Sequence, residues 1–166
     1  MNRYSAPWGR SLKLLTLLGS LVLFVVPLAA LAASDFTGAL SLVIVLPLLI
    51  WAATLPFMVT GYELSAGQLR IARLGWATVY PLRELRAVEY QPGVMAGSLR
   101  MFGNGGLFAI SGWFRNKALG RYRAFVTDPD RSVVVRFADR TIVVSPGEQE
   151  RFVAALRGYV SNGDTG

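Results

Sequence analysis

The chain has 166 residues, 53% of them hydrophobic and only 16% charged, with 17 Lys plus Arg against 10 Asp plus Glu for a net charge of +7. Soluble domains carry roughly 25% charged residues, so this composition argues against an ordinary soluble domain and points to lipid. Cys and His are both absent, which removes disulfides, thiolate metal sites, the commonest general base and the commonest transition-metal ligand.

Two apolar runs open the chain. Leu14 to Ala33 is uncharged, and at about 1.5 Å per residue it covers the roughly 30 Å of a bilayer core. Gly38 to Val59 is a second uncharged run of sufficient length. Only Ser34, Asp35, Phe36 and Thr37 lie between them, a link that predicts a tight turn and an antiparallel return. Residues 1–60 therefore read as a transmembrane hairpin with spans at about 14–33 and 38–59. Pro27, Pro47 and Pro56 are tolerable in membrane helices and predict kinks. Ala30-Leu31-Ala32 resembles a signal-peptide cleavage site, but the run exceeds the usual core region of about 7–15 residues, which favours a retained anchor.

Arg3, Arg10 and Lys13 precede the first span and Arg70 and Arg73 follow the second, with no basic residue between Leu14 and Leu69. The positive-inside bias then predicts a multi-pass protein of the inner (plasma) membrane with both termini cytoplasmic. Trp8 suits an interfacial belt, whereas Trp51 lies deep enough to pack between helices.

From Gly61 the pattern shifts to short alternating segments. Tyr62 to Leu64 and Leu69 to Leu74 alternate apolar with polar around Ser65-Ala66-Gly67, which predicts a hairpin. Strands are also expected at Ala77–Tyr80, Leu85–Tyr90, Leu107–Ile110, Tyr122–Thr127, Ser132–Phe137 and Thr141–Val144. Ser145-Pro146-Gly147-Glu148 combines an N-cap hydroxyl, a first-turn Pro and a capping-box Glu, so a helix is expected to begin there. Its apolar stripe is Phe152, Val153, Leu156, Tyr159 and Val160. Residues 61–160 thus form a β-rich cytoplasmic domain of about seven strands, a barrel or sandwich capped by an amphipathic helix, and 161–166 a flexible tail. The fold class is α+β.

This order of elements resembles the bacterial pleckstrin-homology-like membrane proteins. The likeness is carried by Gly61-Tyr62-Glu63-Leu64, Leu69-Arg70-Ile71, Tyr80-Pro81-Leu82, the stretch Leu99 to Phe108, Gly112-Trp113-Phe114, Leu119-Gly120-Arg121-Tyr122 and Ser145-Pro146. The resemblance implies a bent barrel plugged by the final helix and a scaffolding or regulatory role at the membrane. It implies no catalytic residue, cofactor or phosphoinositide site.

The most unusual stretch runs from Gln91 to Thr127, where no Asp or Glu occurs while Arg100, Arg115, Lys117, Arg121 and Arg123 all do. Phe102, Phe108, Trp113, Phe114 and Tyr122 are interleaved with them, a composition suited to anionic headgroups. Arg100, Phe102, Trp113, Phe114, Arg115, Lys117, Arg121 and Arg123 are accordingly the candidate membrane- or partner-binding face. Two plainer explanations stand beside it: the aromatics fit a core, and the cations fit the positive-inside bias alone. Aromatics with cations also suit single-stranded nucleic acid, but a bilayer anchor argues against that partner. Gly103-Asn104-Gly105-Gly106 lacks the Lys-Ser/Thr ending of a phosphate-binding loop, and Asp128-Pro129-Asp130 reads as a polar turn.

No catalytic, metal-binding or cofactor-binding residue is assigned. The expected function is a noncatalytic interaction module on the cytoplasmic face, with the lipid bilayer, a protein partner or further copies of itself, and anionic headgroups as partners. The alternative is an accessory subunit of a membrane transporter or envelope enzyme, acting through its transmembrane helices.

Overall fold

The computed structural model describes residues 2–32 and 40–161. The turn expected at residues 34–37 and residues 162–166 of the expected tail lie outside the described residues. The chain begins with a strand, β1 (Asn2–Ser5), then enters α1 (Arg10–Ala32) and α2 (Leu40–Thr54). Nine further strands follow: β2 (Val59–Ser65), β3 (Gln68–Arg73), β4 (Ala77–Pro81), β5 (Leu85–Tyr90), β6 (Leu99–Gly105), β7 (Ile110–Asn116), β8 (Gly120–Val126), β9 (Val133–Phe137) and β10 (Thr141–Val144), with α3 (Gln149–Ser161) last.

Of the barrel or sandwich of about seven strands expected, the structure has the sandwich form, two open sheets with ten strands among the described residues. One has the order β1-β2-β3-β4 and the other β5-β9-β10-β8-β7-β6. The break lies at Pro81, where a 3-10 turn over Leu82–Glu84 ends β4 and sends β5 to pair with β9. The expected hairpin at Ser65-Ala66-Gly67 forms, with positive φ at Ala66 (48°) and Gly67 (70°), as a tight two-residue turn requires.

β1 has no counterpart in the sequence expectations. It pairs antiparallel with β2, Asn2 opposite Leu64 and Ser5 opposite Gly61, so the two helices are an insertion between adjacent strands of one sheet. Arg3 and Glu63, directly opposite, form an ion pair at 3.4 Å. The chain after β1 stays on the domain: Gly9 N donates to Thr127 O at 2.9 Å and the Thr127 hydroxyl to Pro7 O at 2.8 Å.

α1 contains an apolar stretch, Arg10–Ala29, long enough to cross a membrane. Only 17% of its most apolar window is buried, which separates it from a core helix. α2 runs back beside α1: Trp51 Nε1 donates to Ser20 Oγ at 3.1 Å, and its ring meets Phe24 edge-on at 5.8 Å. The second expected span is cut short at its C-terminal end. Helix stops at Thr54, Leu55–Phe57 form a 3-10 turn containing Pro56, and Val59 already pairs with Arg73. The 15 residues of α2 cover about 22 Å, and the 3-10 turn adds about 6 Å.

The main core lies between the sheets and under α3, where Tyr62, Leu69, Ile71, Phe125, Ile142, Phe152 and Leu156 are fully buried. Its polar centre is Ser145. The hydroxyl of Ser145 accepts from the amides of Thr127 (2.8 Å) and Asp128 (3.2 Å), while Ser145 N donates to the Tyr62 hydroxyl at 3.1 Å. Tyr62 in turn donates to Phe125 O at 2.6 Å. The N-cap role expected for Ser145 is therefore corrected: its side chain is committed to the sheet, and α3 begins only at Gln149.

Candidate functional site

The stretch Gln91 to Thr127 folds as an antiparallel meander, β6-β7-β8, whose outer strand β6 is the edge of its sheet. Gly103 and Gly112 face each other across β6 and β7 with φ of 120° and 150°. A Cβ at Gly103 would sit 2.4 Å from Ser111 O and one at Gly112 2.2 Å from Phe102 O. Only glycine permits this approach of the two backbones.

The β6–β7 connection is anchored on α1. The Thr16 hydroxyl donates to Gly106 O at 3.0 Å and accepts from Phe108 N at 3.1 Å. Phe108, held at a φ of 64°, packs between Trp51 of α2 (5.3 Å) and Trp8 (6.1 Å). The glycine run thus makes a turn: Asn104 Oδ1 accepts from Gly106 N and Leu107 N, and Asn104 Nδ2 donates to Leu107 O.

The eight candidate residues do not share one face. Arg100, Phe102, Trp113 and Arg123 line a crevice of about 620 Å³ between the meander and the end of α2. Arg115, Lys117 and Arg121 lie at the β7–β8 end of the meander, about 20 Å along the strands from the loop that touches α1. Arg115 and Arg121 are direct cross-strand partners, a like-charge pairing that costs a few tenths of a kcal/mol or more. Arg121 lies over the Trp113 ring at 4.7 Å. Phe114 is corrected from surface to interior: it is buried with Tyr122, the rings stacked 6.0 Å apart. It occupies the strand face opposite Trp113, as a period of two dictates.

Arg73, on the last residue of β3, completes the crevice and was not singled out from the sequence. A signal for it exists, because Leu69, Ile71 and Arg73 share the inward face of β3 and a cation there breaks an apolar alternation. Arg73 is 6% exposed. Trp76 covers one approach to its guanidinium at 4.3 Å and Phe125 another at 4.9 Å. Its Nε and Nη2 are buried without a hydrogen-bond partner. Burial, reinforced by the charge of Arg123, pushes its pKa down to about 10, so it stays protonated at neutral pH at an electrostatic cost.

Among the described residues, no acidic residue lines the crevice. No ion pair among the described residues engages Arg73, Arg100, Arg115, Lys117, Arg121 or Arg123. The remaining wall includes Ile50, Ala53 and Phe57 from α2 and the turn after it, Trp76, whose ring meets Phe57 edge-on at 6.1 Å, and the polar Thr54, Asn104 and Ser111. The crevice thus brings three guanidinium groups, Arg73, Arg100 and Arg123, to one space.

No curated protein and no solved structure matches the chain. A family model described as "Bacterial PH domain" matches residues 60–160. That match begins at the N-terminal end of β2 and runs through α3, covering both sheets apart from β1, and the chain belongs to the bacterial PH domain family.

Proposed function

We propose that the chain is a noncatalytic interaction module held on the cytoplasmic face of the inner membrane by α1 and α2, which cross the bilayer as a hairpin. The observation that carries this reading is the insertion of both helices between the paired strands β1 and β2. Strands in one ladder lie on one side of a membrane, so the helix ends that join them do too, and an even number of crossings follows. The apolar flanks Leu17, Leu21, Leu28, Leu42, Leu46 and Leu49 are all exposed, which suits lipid. The basic flanks, Arg10 and Lys13 in the first turn of α1 and Arg70 and Arg73 after α2, suit the cytoplasmic side. The edge strand adds Leu99, Met101 and Phe102, exposed by 74%, 54% and 78%, and the meander adds cations at about 1 kcal/mol each against an anionic leaflet. The domain then presents its crevice to the headgroups and its distal Arg115, Lys117 and Arg121 to a partner of opposite charge.

The absence of Cys makes the topology directly testable. Single cysteines at Asp35 and at Gln91 are labelled with a membrane-impermeant maleimide in intact spheroplasts and in inverted vesicles. Asp35→Cys is expected to react only in spheroplasts and Gln91→Cys only in inverted vesicles. Reaction of both from the same side would sink the hairpin.

A further inference from the structure

The geometry points to the crevice between α2 and the β6–β7 hairpin as the site of one anionic phospholipid, whose phosphate is held by Arg73, Arg100 and Arg123. This rests on the helix pair lying in the bilayer. The two unpartnered atoms of Arg73, Nε and Nη2, are the parallel donors that grip a phosphate or carboxylate side-on in two hydrogen bonds. Aromatic rings lie over the group at 4.3 and 4.9 Å, so an acceptor would have to meet these buried donors in the plane of the group. Arg123, half-buried, lies 5.0 Å over Phe125, and Arg100 stands on the exposed edge strand. All three line a space of about 620 Å³, within the range of ordinary ligand pockets.

The class of ligand follows from the walls. Ile50, Ala53 and Phe57 line the side formed by the end of α2, which is where acyl chains would continue along the helix. A soluble phosphate leaves that wall unused. Three cations without an acid also disfavour choline or ethanolamine headgroups, whose own cation would meet them, and favour a headgroup of net negative charge. The C-terminal carbonyls of α2 oppose an anion, but several are already occupied. Thr54 Oγ1 donates to Trp51 O, Met58 N to Leu55 O and Trp76 Nε1 to Pro56 O.

The test uses the full chain in dioleoyl-phosphatidylcholine nanodiscs, titrated with dioleoyl-phosphatidylglycerol. Retained lipid is counted by native mass spectrometry and unfolding is followed by Trp fluorescence. One phosphatidylglycerol per chain is expected to survive transfer to detergent and to raise the unfolding temperature. Arg73→Met should weaken that retention by about tenfold or more, the worth of a charge-assisted contact. The same variant should leave the lipid-free chain as stable as before or more so, because it removes an unpaired buried charge. A purely structural arginine gives the reverse pattern, lower stability with unchanged retention. If Arg73→Met does not fold, Arg100→Gln on the exposed edge carries the expectation of weakened retention. Equal retention by the wild type and the folded variant overturns the site. Equal stabilisation by inorganic phosphate alone, or by phosphatidylcholine, overturns an anionic lipid as the occupant. Failure of the hairpin itself is read separately by the cysteine labelling.

Discussion

The centre of this domain and the crevice beside α2 treat their polar groups in opposite ways. At the centre of the sandwich, the Ser145 hydroxyl, the Tyr62 hydroxyl and the amides of Thr127 and Asp128 satisfy one another among fully buried neighbours. At the crevice beside α2, a guanidinium that is 6% exposed has two donors with no partner, and a strand edge leaves Leu99 and Phe102 in the open. An unmet buried donor costs about 1–3 kcal/mol. The contrast teaches that stability is concentrated in the sandwich, while the crevice leaves buried donors unmet.

The sharpest break of that contrast comes from the sandwich itself. Phe152 is fully buried and meets Tyr4 edge-on at 5.1 Å, so Phe152→Ala is expected to cost about 3–5 kcal/mol in denaturant unfolding of the detergent-solubilised chain. A loss below about 1 kcal/mol would show that α3 is peripheral. Next comes the meander, where Gly103→Ala pushes a methyl group toward Ser111 O. A cost of about 1–3 kcal/mol is expected. Hydrogen exchange should rise in β6 and β7 and stay unchanged in β9 and β10. Thr16→Val leaves Gly106 O and Phe108 N without their bridge; about 1–3 kcal/mol should be lost, with faster exchange confined to residues 106–109.

Alkaline pH separates the regions more gently. Burial raises the Tyr62 pKa from 10.0 to about 12, so folding favours its neutral form. That contribution is complete below pH 10 and is lost as pH rises from 10 toward 12. Tyr62→Phe should flatten the stability profile in this window, and an unchanged slope would assign it to Tyr80 and Tyr122, which burial shifts in the same direction. The smallest effect belongs to the distal cations. Arg115→Thr removes the like-charge pairing with Arg121 and should raise stability by only a few tenths of a kcal/mol at low salt.

Local pattern carried some of these elements and missed others for identifiable reasons. The β2–β3 hairpin and the β9–β10 pair are read from alternation and turn residues close in sequence, and Phe152, Val153 and Leu156 are read from helical spacing. β1 offers four residues, Asn2-Arg3-Tyr4-Ser5, whose partner in β2 lies beyond both helices. No local signal can supply that pairing. β6 and β7 were missed because Gly103, Gly105 and Gly112 blur their alternation, and a strand was expected over Leu107–Ile110, where the chain turns. The candidate site was legible as charge without acid, but not as shape. Sequence placed Phe114 beside Trp113, and the pleat sent them to opposite faces; it left Arg73 among the flanking basic residues, and the fold brought it into the crevice.

A domain on one linker can swivel about it; this one is joined to its helices twice, through β1 into α1 and from α2 into β2. With α1 and α2 in the bilayer as proposed, any change in their relative tilt, whether from bilayer thickness or from a neighbouring protein, arrives at the β1–β2 ladder as shear. Four residue pairs, from Asn2–Leu64 to Ser5–Gly61, would be the gauge that registers it.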